Sequence, residues 1–176
     1  MKYFDELVRS MTWLSEKSNT IFLGQSIEYP GNAMFNTMKN VPAEKRLEMP
    51  VAEEMQMGIT LGLSLEGFVP ISCYPRFDFL ILATNQLINH IDKTYQISKG
   101  KMNPKPIIRV VVGSVTPMYP GVQHSQDHTV AFKSMATHLN VVLLEEPEQI
   151  FPAFQEAYEG NRPSLLIEYG DFYNEK

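Results

Sequence analysis

The sequence predicts a three-layer α/β domain, a doubly wound and mainly parallel sheet with helices on both faces. Three observations carry that expectation. Short β-prone runs alternate along the chain with longer helical patterns, the order that builds parallel sheets. The runs Val69 to Cys73, Ile107 to Val112 and Leu165 to Glu168 are apolar with little alternation, as strands covered on both faces require. Finally, 176 residues are enough for one domain with a sizeable core and too few for two ordinary ones, so residues 1–176 are read as a single domain.

Taken in order, Tyr3 to Lys17 places Phe4, Leu7, Val8, Met11 and Leu14 three and four residues apart, which gives a helix one apolar stripe. Thr20 to Leu23 reads as the first strand, and Tyr29-Pro30-Gly31-Asn32 as a turn. Pro50 precedes a helix over Ala52 to Glu66, with Glu53 and Glu54 in the first turn, where acidic groups meet the positive end of the helix dipole. Gly58 and Gly62, four apart, share a face of that helix and weaken it, so close approach of a neighbouring helix or backbone is expected there, and the pair suits a contact between two such domains. A strand at Val69 to Cys73 leads into one long helix from Phe77 to Ser98. After a proline-bounded connection, Met102 to Pro106, comes the strand Ile107 to Val112. The loop from Pro117 to Gly121 leads to His124 and to a helix beginning near Gln126, for which Ser125 is a candidate cap. A strand at Val141 to Leu144, a helix at Glu148 to Glu159 and a strand at Leu165 to Glu168 complete the pattern. Lys93, Lys99, Lys101, Lys105 and Arg109 read as the solvated end of a helix.

Composition narrows the function. The hydrophobic share of 44% and charged share of 20% are those of a folded globular chain. A net charge of -5 disfavours nucleic acid as a partner. The lone Cys73 cannot form an internal disulfide. The charged start (Lys2, Asp5, Glu6, Arg9) is not a secretory leader, and no apolar run reaches membrane-spanning length, so a cytoplasmic location is expected. The chain lacks a Walker loop, a Gly-x-Gly-x-x-Gly fingerprint, a Gly-x-Ser-x-Gly elbow and the paired glutamate of a metalloprotease helix, although His124 and His128 stand four apart. Chemistry is concentrated near Gly24, Glu53 and His124, each beside a loop at a strand or helix end where ligands of open α/β sheets bind. Each also has a plain structural reading: Glu53 and Glu54 as a solvated helix start, Phe79 as core, His124 as part of a helix N-terminus.

Five stretches, LGQSIEYPG, KRLEMPVAEEMQMGITLGLSLEGFVPI, FDFLILATNQLINHIDKTY, PIIRVVVG and GVQHSQD, together with the terminal SLLIEYG, resemble the pyrimidine-binding domain of thiamine diphosphate enzymes. The likeness is above all to the N-terminal half of the beta subunit of the decarboxylase component of pyruvate and branched-chain 2-oxo acid dehydrogenases. Transketolase shares this domain. The resemblance implies thiamine diphosphate as cofactor. Glu53, with Glu54 the less favoured choice, would hydrogen-bond the pyrimidine ring nitrogen and activate the cofactor, Phe79 would pack on the pyrimidine, and His124 would face the substrate. Gln25 stands where many members have an acid that links paired active sites, and Glu28 is an alternative carrier of that charge.

The resemblance also implies an incomplete site. The diphosphate and its Mg2+ are held in this family by a Gly-Asp-Gly element and an asparagine, whereas here Gly170-Asp171 is followed by Phe172. A separately encoded diphosphate-binding subunit, a dimer of heterodimers and a small 2-oxo acid substrate are therefore expected, with no diphosphate-binding domain and no transketolase C-terminal domain in the chain. Transketolase-like ketol transfer and a non-catalytic interaction module are the alternatives.

Overall fold

A computed structural model describes residues 1–175. Its strands are β1 (Thr20–Gly24), β2 (Arg46–Glu48), β3 (Val69–Tyr74), β4 (Ile107–Val112), β5 (Asn140–Leu144) and β6 (Ser164–Tyr169). They form one sheet in the order β2-β1-β3-β4-β6-β5, and every pairing is parallel. The helices are α1 (Tyr3–Ser15), α2 (Ala33–Thr37), α3 (Glu53–Leu65), α4 (Phe77–Leu80), α5 (Asp92–Ile97), α6 (Thr129–Met135), α7 (Pro147–Glu159) and α8 (Phe172–Glu175).

Strand periodicity divides the core into two layers. In β4, Ile107 and Val111 face a cluster built with Leu7, Met11 and Leu14 of α1 and Ile150 and Phe154 of α7; Ile108, Val110 and Val112 face the other side, against Phe77, Leu80, Leu87 and Phe132. Both faces of the central strands are thus covered, which is why their sequences read as unbroken apolar runs. No helix of the described residues is long and apolar enough to cross a membrane.

Four expectations need correction. The long helix from Phe77 changes pitch: α4 passes into a 3₁₀ turn at Ile81–Ala83, then a π turn at Gln86–Ile91, then α5. The buried residues Phe77, Leu80, Ala83, Leu87 and Ile91 are spaced by three and then by four. All five belong to the one core cluster on this face of the sheet, across the change of pitch. The helix expected near Gln126 starts at Thr129, where Asp127 Oδ1 accepts the Thr129 N–H at 2.8 Å; Ser125 is not its cap, and its hydroxyl donates to Gly121 O at 3.2 Å. Arg109, grouped with a solvated basic run, is fully buried within β4. Gly58 and Gly62 have nothing within 4 Å of an added Cβ, so no neighbour inside this chain accounts for their smallness.

Candidate functional site

Four loops meet at the carboxyl ends of β1, β3, β4 and β6. The turn after β1 is set by Gly24, where a Cβ would stand 2.5 Å from Cys73 O, so β1 and β3 approach as only glycine allows. The next residues are gathered by Glu48 at the end of β2, whose carboxylate accepts the N–H groups of Ser26 (2.5 Å), Ile27 (2.9 Å) and Glu28 (3.0 Å). Asn32 closes the segment: its side-chain amide donates to Gln25 O and Ser26 O, both at 3.3 Å, while its carbonyl accepts the Phe35 N–H and starts α2. This scaffold aims Gln25 at the first turn of α3, where its Nε2 donates to Glu53 Oε1 at 3.1 Å.

Glu53 is 5% exposed, against the solvated reading, whereas Glu54 is exposed and accepts from Gln86 Nε2 at 3.0 Å. Tyr74, at the end of β3, donates its hydroxyl to Glu53 O at 3.3 Å. Among the described residues, Gln25 Nε2 makes the one hydrogen bond to the Glu53 carboxylate, so its second oxygen remains available. Glu28 is exposed and accepts the Glu48 N–H at 3.3 Å; Gln25 is thus the residue that reaches Glu53.

A second pair forms across the next two loops. The Phe79 ring of α4 meets the His124 ring edge to face, with centroids 5.6 Å apart and planes at 90°. Arg76 fixes this arrangement, because its Nη1 donates to His124 O at 2.6 Å and to Gly113 O at 3.1 Å. Gly113 begins a loop that Asp171 clamps: its carboxylate accepts Ser114 Oγ (2.7 Å), Val115 N–H (3.0 Å), Thr116 N–H (3.1 Å) and Thr116 Oγ1 (2.7 Å). Burial alone would raise the Asp171 pKa, but these donors outweigh it and hold the carboxyl below its ordinary value.

Between these walls lies a cavity of about 290 Å³, with Gln25, Asn32, Arg76, Phe79 and Ser114 in its lining. Gln25 and Phe79, which touch Glu53 and His124 respectively, therefore share one cavity, and the four residues singled out from sequence converge on one end of the sheet. The cavity has a flat aromatic face, a primary amide backed by a buried carboxylate, and hydroxyl groups, a donor set suited to an aminopyrimidine ring. His128 lies apart, edge-on to Phe77 at 5.4 Å. Among the described residues, no group of three or more His, Cys, Asp or Glu side chains is placed to hold a metal ion. Sequence reasoning gave Arg76 and Asp171 no role in a site. The available signal was position: each stands two residues past the end of a strand, Arg76 after β3 and Asp171 after β6.

Comparison with solved structures identifies this parallel sheet, with helices on both faces, as the transketolase-type thiamine diphosphate-binding fold. It gives a split-gene transketolase, described as an inactive β4 tetramer, at a TM-score of 0.71 and 18% identity, covering 94% of this chain and 50% of that one. In sequence, the chain is similar to the pyruvate dehydrogenase E1 component subunit beta of Gracilaria tenuistipitata var. liui, 25% identical over 167 residues, which are 93% of this chain and 50% of that protein. The mitochondrial counterpart from Caenorhabditis elegans is 30% identical over 134 residues, 75% of this chain and 37% of that protein. The chain thus spans half the length or less of these curated relatives. No family model matches it.

Proposed function

We propose that this chain is the pyrimidine-binding part of a thiamine diphosphate-dependent enzyme acting on a 2-oxo acid, and that the diphosphate and Mg2+ are held by a separately encoded subunit. The observation that carries the reading is the buried Glu53 carboxylate, one oxygen taken by Gln25 and the other available, beside a cavity walled by Phe79. Thiamine diphosphate, when bound, supplies a carbon nucleophile for the 2-oxo carbonyl and a sink for the electrons left by loss of CO2. Glu53 then shares a proton with a ring nitrogen, and Gln25 fixes the rotamer of Glu53. Phe79 presents its ring to the pyrimidine. His124, held through its backbone by Arg76 and through its ring by Phe79, is oriented to hydrogen-bond or protonate a group on the substrate. Among the described residues, the side chain that reaches the Glu53 carboxylate is the Gln25 amide, which has no acid to pass a proton between paired sites.

The proposed assembly uses α3. Gly58 and Gly62 are exposed with open space over them, flanked by the exposed Met55 and Leu65, a surface suited to the same helix of a second copy. Two such chains and two diphosphate-binding subunits would form the dimer of heterodimers.

The test is co-expression with a chain carrying a Gly-Asp-Gly element, followed by calorimetric titration with thiamine diphosphate and assay of 2-oxo acids beside sugar phosphates. Glu53→Gln should cut turnover by about 10²-fold or more, the scale of a lost acid–base contact, while circular dichroism stays native. Unchanged turnover and cofactor affinity in that variant would remove Glu53 from the role. Turnover of sugar phosphates alone would replace decarboxylation by ketol transfer, and binding of no cofactor by the mixture would leave the interaction module.

A further inference from the structure

The cavity holds one charged side chain, and it is a cation. Of the residues that line it, Arg76 alone carries a charge. Arg76 is half-buried, and no carboxylate of a described residue lies within ion-pair distance of it. The nearby acids are engaged elsewhere: Asp171 with the Ser114 to Thr116 loop, Asp78 with Gln126 Nε2 at 2.7 Å, and Glu53 with Gln25. Of the guanidinium, Nη1 is committed to the carbonyls of Gly113 and His124, whereas Nε and Nη2 make no hydrogen bond to a described residue. Those two nitrogens form the side of the fork that meets two oxygens of a carboxylate, phosphate or sulfonate at once. In a chain with net charge -5, a half-buried cation without a counter-ion in a cavity is a feature that a ligand's charge completes.

We propose that Arg76 is a specificity-determining residue that binds an anionic group of the substrate, and that this group is distinct from the carboxylate lost in the reaction. The second half of the statement follows from energetics. A guanidinium paired with the departing carboxylate would stabilise the ground state more than the transition state, in which that charge is dispersing, and would oppose decarboxylation. A second anion at the far end of the substrate remains charged throughout. Binding it anchors the molecule without penalising the chemistry. The substrate class is then a 2-oxo acid whose side chain ends in a carboxylate or another oxyanion. That the ligand is a substrate rests on the proposed function, whereas the affinity of Arg76 for an anion does not.

Two measurements separate these levels. In the first, the ¹⁵N-labelled chain alone is titrated with inorganic phosphate, glutarate and the uncharged glutaramide at constant ionic strength, observing the arginine Nε–Hε signals. The signal missing from Arg76→Gln should move saturably with glutarate or phosphate and stay still with glutaramide; no movement with either anion overturns the proposal. In the second, the complex with the diphosphate-binding subunit is assayed with 2-oxoglutarate and 5-methyl-2-oxohexanoate, which match in shape and differ in the terminal charge. Arg76→Gln should lower the ratio of kcat/KM values, charged over uncharged, at least tenfold, with Arg76→Lys in between. An equal loss on both substrates would make Arg76 a positioning residue for the His124 loop and refute its role in specificity. If the complex turns over no 2-oxo acid, the proposed function fails, while the titration still decides whether Arg76 binds anions.

Discussion

Replacing Arg109 by methionine should destabilise the protein more than most single substitutions. Arg109 and Glu168 are both fully buried, one on β4 and the other on β6, on the face of the sheet covered by α1 and α8. Arg109 Nε donates to Glu168 Oε1 and Nη2 to Oε2 at 3.0 Å, a bidentate pair, and the Tyr173 hydroxyl also donates to Oε2. Burial by itself would lower the Arg109 pKa, but the adjacent Glu168 carboxylate raises it above its ordinary value, so the guanidinium stays charged. Removing the cation leaves Glu168 buried with only tyrosine as a donor, and the loss of one partner from a buried pair costs about 3–5 kcal/mol. For a domain of this size, 1 kcal/mol corresponds to roughly 2–4 °C, so Tm should fall by roughly 6–20 °C. Removing both charges has a different sign of reasoning. The desolvation of both ions is relieved together, so Arg109→Met with Glu168→Leu should lie within about 2 kcal/mol of the parent. Urea unfolding of the two single variants and the double variant measures the cycle, and melting by calorimetry supplies the same comparison if a single variant is too unstable for a native baseline. A single-variant loss below about 1 kcal/mol, or a double variant as damaged as the sum of the singles, would refute the reasoning.

Two further outcomes follow from buried ionisable groups. Asp92 accepts the N–H groups of Thr137, His138 and Leu139 and is paired with Lys93; burial works in the opposite direction, but these contacts hold its carboxyl well below the ordinary range. With Asp171 also lowered, both contribute stability that is complete above the unfolded aspartate value of about 3.9 and is lost as pH falls through their folded values. Urea midpoints should therefore decline below about pH 5, and Asp92→Asn should be less stable at neutral pH with a flatter acid limb; an unchanged slope would contradict this. Burial pushes the Cys73 thiol up to about 12, so a thiol reagent at pH 8 should label it only as fast as the protein opens, and rapid labelling of native protein would place Cys73 elsewhere.

The apolar runs made β3, β4 and β6 legible because burial on both faces leaves little choice of residue, and α1 was legible because one buried face leaves a clear stripe. Short edge elements were not. β2 is Arg46, Leu47 and Glu48, half-covered and charged as an edge strand tends to be, and α2 spans five residues, too few to show a period. Arg109 was misread for a physical reason: its counter-charge is 59 residues away, and one-dimensional spacing groups it with lysines that never enter the core. At the candidate site, Glu53, Phe79, His124 and Gln25 were each singled out through motif. Their pairing, carboxylate with amide and aromatic with imidazole, depends on loop paths. Those paths are set by hydrogen bonds that Glu48 accepts and that Asn32 and Arg76 donate, which no periodicity encodes.

The contact between α1 and the segment after β6 bears on how the chain is made. The Tyr3 ring lies 5.6 Å from that of Phe172 and 6.1 Å from that of Tyr173, and the Tyr3 hydroxyl donates to Leu144 O at 2.8 Å. During synthesis, the apolar stripe of α1 waits for α7, whose Ile150 and Phe154 pack on it, and its first turn waits longer, for Phe172 and Tyr173. The central strand β4 likewise lacks a neighbour on one side, and Arg109 its counter-ion, until β6 emerges. Long-range parallel pairing of this kind forms slowly. The nascent chain therefore carries this hydrophobic helix exposed until α7 and β6 have been made, which makes it a natural client for chaperones that bind such segments at the tunnel exit.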